Sequence, residues 1–143
     1  MKFDHNNLSP LDNRYSSKIE DIRSIFSEYS LLKTRFTIEI NWLLFLCEKY
    51  PNYFSKISNQ SKNKIIKFRE SFNDKSVLEI KKIEKVTNHD VKAVEYYIRN
   101  FFKRDSVLKK YIHLIHFGLT SEDINSLSYA CLLYTSDAAD ERL

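Results

Sequence analysis

An all-α fold is predicted by three features of the 143-residue sequence. Apolar residues recur at spacings of three and four almost throughout, which lines one face of a helix. One glycine and two prolines leave little of the punctuation that hairpins and strand–helix crossovers require. Hydrophobic residues at 43% and aromatic ones at 14% supply a core, and a chain this long removes roughly 70% of its unfolded surface from water on folding.

The first predicted helix follows the pair Ser16-Ser17, both suitable caps, and is striped by Ile19, Ile22 and Phe26. A long buried helix is expected from about Glu28 to Lys49. Leu32, Phe36, Ile40, Leu43 and Cys47 share one face of it, and Pro51 forbids its continuation. Ile65, Phe68 and Phe72 mark a third helix, and Val77, Ile80 and Ile83 a fourth. Val91, Val94, Ile98 and Phe101 stripe a fifth; Ile124, Leu127 and Ser128 begin a sixth. No internal repeat or low-complexity tract interrupts the series.

The charge balance is basic, with 23 Lys+Arg against 19 Asp+Glu and a net charge of +4. That balance suits an anionic substrate or a nucleic acid. However, sixteen of the cations are Lys and no Lys/Arg run exceeds two residues, so no concentrated basic patch is expected. Cys47 and Cys131 are too few and too distant for a disulfide framework or a metal quartet, and Cys47, within WLLFLC, reads as a small core residue. The opening MKFDHNNLSP lacks the apolar stretch of a signal peptide, and the longest apolar run, Trp42 to Cys47, is too short to span a bilayer. A soluble, cytoplasmic protein is expected.

Three segments gather polar residues where helices should begin. In SPLDNRY (Ser9 to Tyr15), Pro10 and Asn13 mark a turn. Arg14 then projects from a loop, either to grip a phosphate or carboxylate with its planar fork or simply to face solvent. In TNHDVKAVEYY (Thr87 to Tyr97), Thr87 and Asp90 have capping-box spacing. Asn88 and His89 lie where backbone N–H groups favour anions, so His89 is either an anion ligand or proton donor, or an exposed residue beside an ordinary cap. In HFGLTSEDIN (His116 to Asn125), Thr120 and Asp123 repeat that spacing. The sole glycine, Gly118, stands before it, where average usage would supply about ten in the chain. It serves either an unusual dihedral or close approach of a ligand to bare main chain. Thr120 and Ser121 offer two hydroxyls beside free N–H groups, a receptor for a carboxylate or a plain capped turn. His113 and His116, three apart and without a third ligand, are weak evidence for a metal, and no zinc site is expected.

Taken together, SPLDNRY, TNHDVKAVEYY and HFGLTSEDIN match in order and spacing the N-terminal motifs of the adenylosuccinate lyase family of the fumarase/aspartase superfamily. IFSEYSLLKTRF and EINWL also fit that family's second helix. The resemblance covers Leu8 to about Ala130, and its one departure is Asn13 where the family usually has glycine. It implies a homotetrameric, all-helical lyase without metal or organic cofactor. Such an enzyme eliminates fumarate from adenylosuccinate to give AMP, and from the succinylcarboxamide ribonucleotide (SAICAR) to give AICAR. Neither a membrane nor nucleic acid is an implied partner. By the same resemblance, Arg14 and Tyr15 contact the nucleotide at its phosphate end. Asn88, His89 and Asp90 line the same pocket, and Thr120 and Ser121 hold a carboxylate of the succinyl group. His116 reaches the phosphate region, and Lys92 supports the site. The family's catalytic acid, a His in a Thr-His-Gly-type motif, and its base, a Ser in a Ser-Ser-x-Met-Pro-type loop, match nothing in this sequence.

The resemblance divides the chain into an N-terminal helical domain, 1–111, and the start of a central helical domain, 112–130. The remainder, CLLYTSDAADERL, lacks Lys, Asn and Ile. Its first eleven residues read as one frame of a transposase-type sequencing-library adaptor, so 131–143 are expected to be an adaptor-derived tail on a fragment inactive by itself. The competing expectation is a stand-alone basic helical module that binds nucleotides or nucleic acid without catalysis.

Overall fold

The computed structural model describes residue 11, residues 14–54 and residues 56–140, with only the backbone for 136–140. The described chain is helical, with no strand among the described residues. Among the described residues seven α-helices form: α1 (Glu20–Phe26), α2 (Glu28–Lys49), α3 (Pro51–Phe54), α4 (Asn59–Glu70), α5 (Asp74–Thr87), α6 (Asp90–Arg104) and α7 (Ser121–Asp140). Among the described residues, 3₁₀ turns at Ser16–Lys18 and Lys109–Leu114 accompany them. None of the described helices is long and apolar enough to cross a membrane.

Local chemistry accounts for most boundaries. Ser27 caps α2, its Oγ accepting the Ser30 N–H at 3.3 Å, and Tyr50 ends the helix one residue before Pro51. Ser58 caps α4 in the same way. Asn73 and Ser76 form a reciprocal capping box at the start of α5. Asn88 closes α5 in the left-handed region (φ 51°, ψ 34°), the position that glycine often fills.

Helix α2 packs against α1 and every helix from α3 to α7. Its stripe Leu32, Phe36, Ile40, Leu43 and Cys47 is fully enclosed. It meets Ile65, Phe68 and Phe72 from the α4 region, Ile80 from α5, and Val94, Ile98 and Phe102 from α6. An aromatic set tightens the centre. Phe36 lies 5.0 Å from Phe68, 5.1 Å from Phe72 and 5.8 Å from Tyr97, measured between ring centroids. Phe101 is only half-buried but stacks on Phe68 at 3.6 Å, while its neighbour Phe102 takes the enclosed position.

The structure departs from the expected helix starts in two places. Ser16 and Ser17 belong to the 3₁₀ turn and do not cap α1, which begins after Ile19 with no side-chain cap. Ile22 and Phe26 are exposed; of the seven residues of the helix only Ile25 is half-buried, like Ile19 just before it. Thr87 is the last residue of α5 and not the cap of α6. His89 takes that role, its Nδ1 accepting the Lys92 N–H at 3.3 Å. Helix α7 runs across the 130/131 boundary without a break, and Leu132 is buried.

Candidate functional site

The two segments around His89 and His116 converge on one face of α2. Position 39 falls between Phe36 and Leu43 in the apolar stripe, yet it is a glutamate, and its side chain has no exposure. Its carboxylate is used twice. Oε2 accepts the backbone N–H of His116 at 3.1 Å, and Oε1 pairs with the His116 Nδ1 at 2.5 Å. The hydrogen bond to Glu39 raises the His116 pKa above its ordinary value, against burial, which lowers it. Glu95 on α6 adds to the rise and Lys92 opposes it.

Glu95 is the second buried acid. It pairs with Lys92 Nζ at 2.6 Å and Arg99 Nε at 2.7 Å. Arg99 in turn donates from Nη2 to the carbonyl of Ile115 at 3.1 Å. Arg35, one turn before Glu39 on α2, is almost fully buried and reaches Asp90 at 2.8 Å. Burial raises the Asp90 pKa, but the Val91 N–H and the Arg35 guanidinium outweigh it and hold the carboxyl below its usual range. The result is a band of paired charges between α2, α6 and the 115–120 loop.

Within that band, the loop leading into α7 is bent. His116 (φ 62°) and Gly118 (φ 70°) both occupy the left-handed region. A Cβ added at Gly118 would meet nothing within 4 Å, so the glycine is there for its dihedral and the space beside it is open. The Thr120–Asp123 box forms as its spacing predicts. Asp123 Oδ2 accepts from the Thr120 N–H at 2.6 Å and from its hydroxyl at 2.8 Å, while the Asp123 N–H donates to Thr120 Oγ1 at 3.3 Å. These bonds hold the Asp123 carboxyl below its usual pKa. Ser121 opens the helix, and the first-turn amides have no acceptor within the helix.

The remaining expected residues fall as follows. Asn88 is the left-handed junction between α5 and α6. His89, about half exposed, accepts the Lys92 N–H at Nδ1. Asp90 is turned toward Arg35, and Lys92 bridges to Glu95 with its ammonium 5.7 Å from the Tyr96 ring. Arg14 and Tyr15 stand apart from this cluster: both are exposed, with the Arg14 guanidinium 5.3 Å from the Tyr15 ring. Pro10 and Asn13, the expected turn residues of SPLDNRY, lie outside the described residues. His113 is exposed and His116 is engaged by Glu39, so the two do not share a ligand set. A groove of about 750 Å³ between α1, α2 and α7 and an apolar one of about 320 Å³ beside Trp42 are lined by none of the expected site residues.

Glu39, Glu95, Arg35 and Arg99 were not expected from the sequence. The signal was present in Glu39 and Glu95. Each sits where the three-four spacing calls for an apolar residue: Phe36–Glu39–Leu43 on α2 and Val91–Glu95–Ile98 on α6.

Comparison with known proteins gives a consistent result over most of the chain. It is 44% identical over 131 residues to an adenylosuccinate lyase of Buchnera aphidicola subsp. Baizongia pistaciae, a match covering 90% of this chain and 28% of that protein. The adenylosuccinate lyase of Haemophilus influenzae is 42% identical over 134 residues, and that of Escherichia coli K12 is 41% identical over 133, with the same shares covered. The chain therefore spans a little over a quarter of the length of the curated relatives it matches. No family model matches the chain.

Proposed function

We propose that this chain is part of an adenylosuccinate lyase and supplies substrate-binding groups for the elimination of fumarate from adenylosuccinate and SAICAR. The observation that carries this reading is the 41–44% identity to three adenylosuccinate lyases over nine-tenths of the chain. The site is consistent with it. Substrates with a phosphate and two carboxylates need several open, donor-rich positions. In this reading, Arg14 and Tyr15 take the phosphate end, and Asn88, His89 and Asp90 line the nucleotide pocket. Thr120 and Ser121 bind a succinyl carboxylate at the α7 start, His116 reaches the phosphate region, and Lys92 supports the site.

Two of those roles take a narrower form in this reading. The Asp123 carboxylate already satisfies the Thr120 amide and hydroxyl. A substrate carboxylate therefore either displaces it or uses the amides of Ser121 and Glu122. The Asp90 carboxylate is committed to Arg35 and the Val91 N–H, so it shapes the pocket wall and leaves direct contact to His89 and Asn88. The acid and base of the elimination lie outside this chain, in the rest of the intact enzyme. There the homotetramer, working in the cytoplasm without metal or organic cofactor, brings Arg14 and Tyr15 to the other groups. Residues 131–143 form a tail with no part in the site, and residues 1–111 and 112–130 are the N-terminal domain and the start of the central one.

The test pairs fumarate release, followed by absorbance, with an NMR titration of the labelled chain by AMP. The reading expects no turnover and weak AMP shifts at His89, His116, Thr120 and Ser121, with a Kd of about 1 mM or weaker. Turnover by the isolated chain that disappears in Arg14→Ala would overturn the claim that the missing groups are essential. AMP shifts confined to surface lysines would overturn the assigned site.

A further inference from the structure

Three consecutive residues of the loop before α7 are each held by a side chain from another helix. Arg99 of α6 donates to the Ile115 carbonyl at 3.1 Å. Glu39 of α2 accepts from the His116 N–H and ring. Trp42, one turn further along α2, donates its indole N–H to the Phe117 carbonyl at 2.8 Å. Glu39 and Trp42 both belong to EINWL and lie three apart, on one face of the helix. The segment they grip contains the left-handed His116 and leads straight into the left-handed Gly118, and for a histidine that conformation persists only when its surroundings enforce it. Arg99 is itself fixed by the buried Glu95.

We infer that Glu39, Trp42 and Arg99 are positioning residues that set the direction in which the α7 N-terminus, with Thr120 and Ser121, presents its donors. The inference rests on the functional reading above for what those donors bind, but the clamp itself is a property of the fold. Glu39 holds the ring and the main chain of His116 together, so the imidazole and the helix start move as one unit. Trp42 fixes the next peptide, and its removal loosens the segment without touching a charge. The ionisable groups around His116 are Glu39 on α2, Lys92 and Glu95 on α6, and Asp123 on α7.

The experiment uses labelled wild-type chain with Glu39→Gln and Trp42→Phe, and succinate as the carboxylate probe. Three quantities are read by NMR: amide exchange at His116, the titration midpoint of the His116 ring, and succinate-induced shifts at Thr120 to Glu122. In Glu39→Gln, exchange at His116 should rise about tenfold, the loss of a hydrogen bond to a charged group. The ring midpoint should fall, and the succinate shifts should shrink several-fold. In Trp42→Phe the succinate shifts should shrink while the ring midpoint stays in place. Core amides of Ile65 and Ile80 should be unchanged in both, and Trp42→Phe alone decides the matter should Glu39→Gln unfold. Unaltered exchange and ring titration in a folded Glu39→Gln chain would overturn the clamp. Wild type without succinate shifts would overturn the carboxylate reading of α7, while exchange and ring titration would still decide the clamp.

Discussion

The pair Arg35–Asp90 offers a quantitative test of the charge band that shapes the site. The Arg35 side chain is 5% exposed and that of Asp90 44%, with Nη2 and Oδ2 2.8 Å apart. A hydrogen bond between charged groups contributes about 1.5–3 kcal/mol, and solvent at Asp90 moves the value toward the lower end of that range. Asp90→Asn leaves a buried guanidinium facing a neutral amide, and should cost about 2 kcal/mol by that reckoning. Arg35→Met should cost less, about 1 kcal/mol, because methionine keeps the packing and Asp90 retains the Val91 N–H and water. The double variant should then show a coupling of about 1 kcal/mol or more in urea unfolding followed by circular dichroism. The pH dependence has a defined sign. Because the folded-state pKa of Asp90 is lowered, its contribution is present above the unfolded value near 3.8 and disappears as pH falls through the folded one. Asp90→Asn should therefore flatten the acid limb of the stability curve. Additive single effects, or an acid limb unchanged by Asp90→Asn, would refute the reasoning.

Other consequences can be measured with equal directness. Phe36→Ala removes a fully enclosed ring at the centre of the aromatic set and should cost about 3–5 kcal/mol in the same unfolding assay. Cys47 is buried, which together with Glu48 pushes its thiol pKa up to about 11, whereas Cys131 is exposed. Iodoacetamide at neutral pH should therefore alkylate Cys131 alone in the folded chain, and both cysteines only in denaturant. Deleting residues 137–143 should leave the thermal midpoint unchanged within error; a fall of several degrees would show that the end of α7 contributes to packing.

Where apolar residues repeat at three and four, the elements were legible. α2 spans Glu28–Lys49 as its stripe and Pro51 demand, and α4, α5 and α6 form where their stripes place them, with Ile65, Phe68, Ile80, Val91, Val94 and Ile98 enclosed and Val77, Ile83 and Phe101 half-buried. The failures have physical causes. α1 has seven residues, too few for a stripe to fix which side faces in. The turn Lys109–Leu114 was missed although Leu108, Tyr111 and Leu114, all enclosed, repeat at three, the period of a 3₁₀ helix and not of an α-helix. At the site, Thr120 and Asp123 announced their cap. His89 did not, because a ring nitrogen acting as a helix cap has no spacing signature. The acids Glu39 and Glu95 were hidden by the assumption that charge on an amphipathic helix faces water. The partner of Glu39, His116, lies 77 residues away and emerges only from tertiary packing, whereas Glu95 is paired along its own helix with Lys92 and Arg99.

In the function proposed above, this chain provides the binding half of a fumarate-eliminating site. The most direct measurement is fumarate release from adenylosuccinate by a chimera in which residues 1–130 replace the matching stretch of the Escherichia coli lyase, 41% identical to this chain over 133 residues. If so, the chimera turns over, and its fumarate release falls about 10²-fold or more in His89→Ala or in the double change Thr120→Ala, Ser121→Ala. A chimera that folds and assembles like its parent yet releases no fumarate, or one indifferent to those changes, would contradict it.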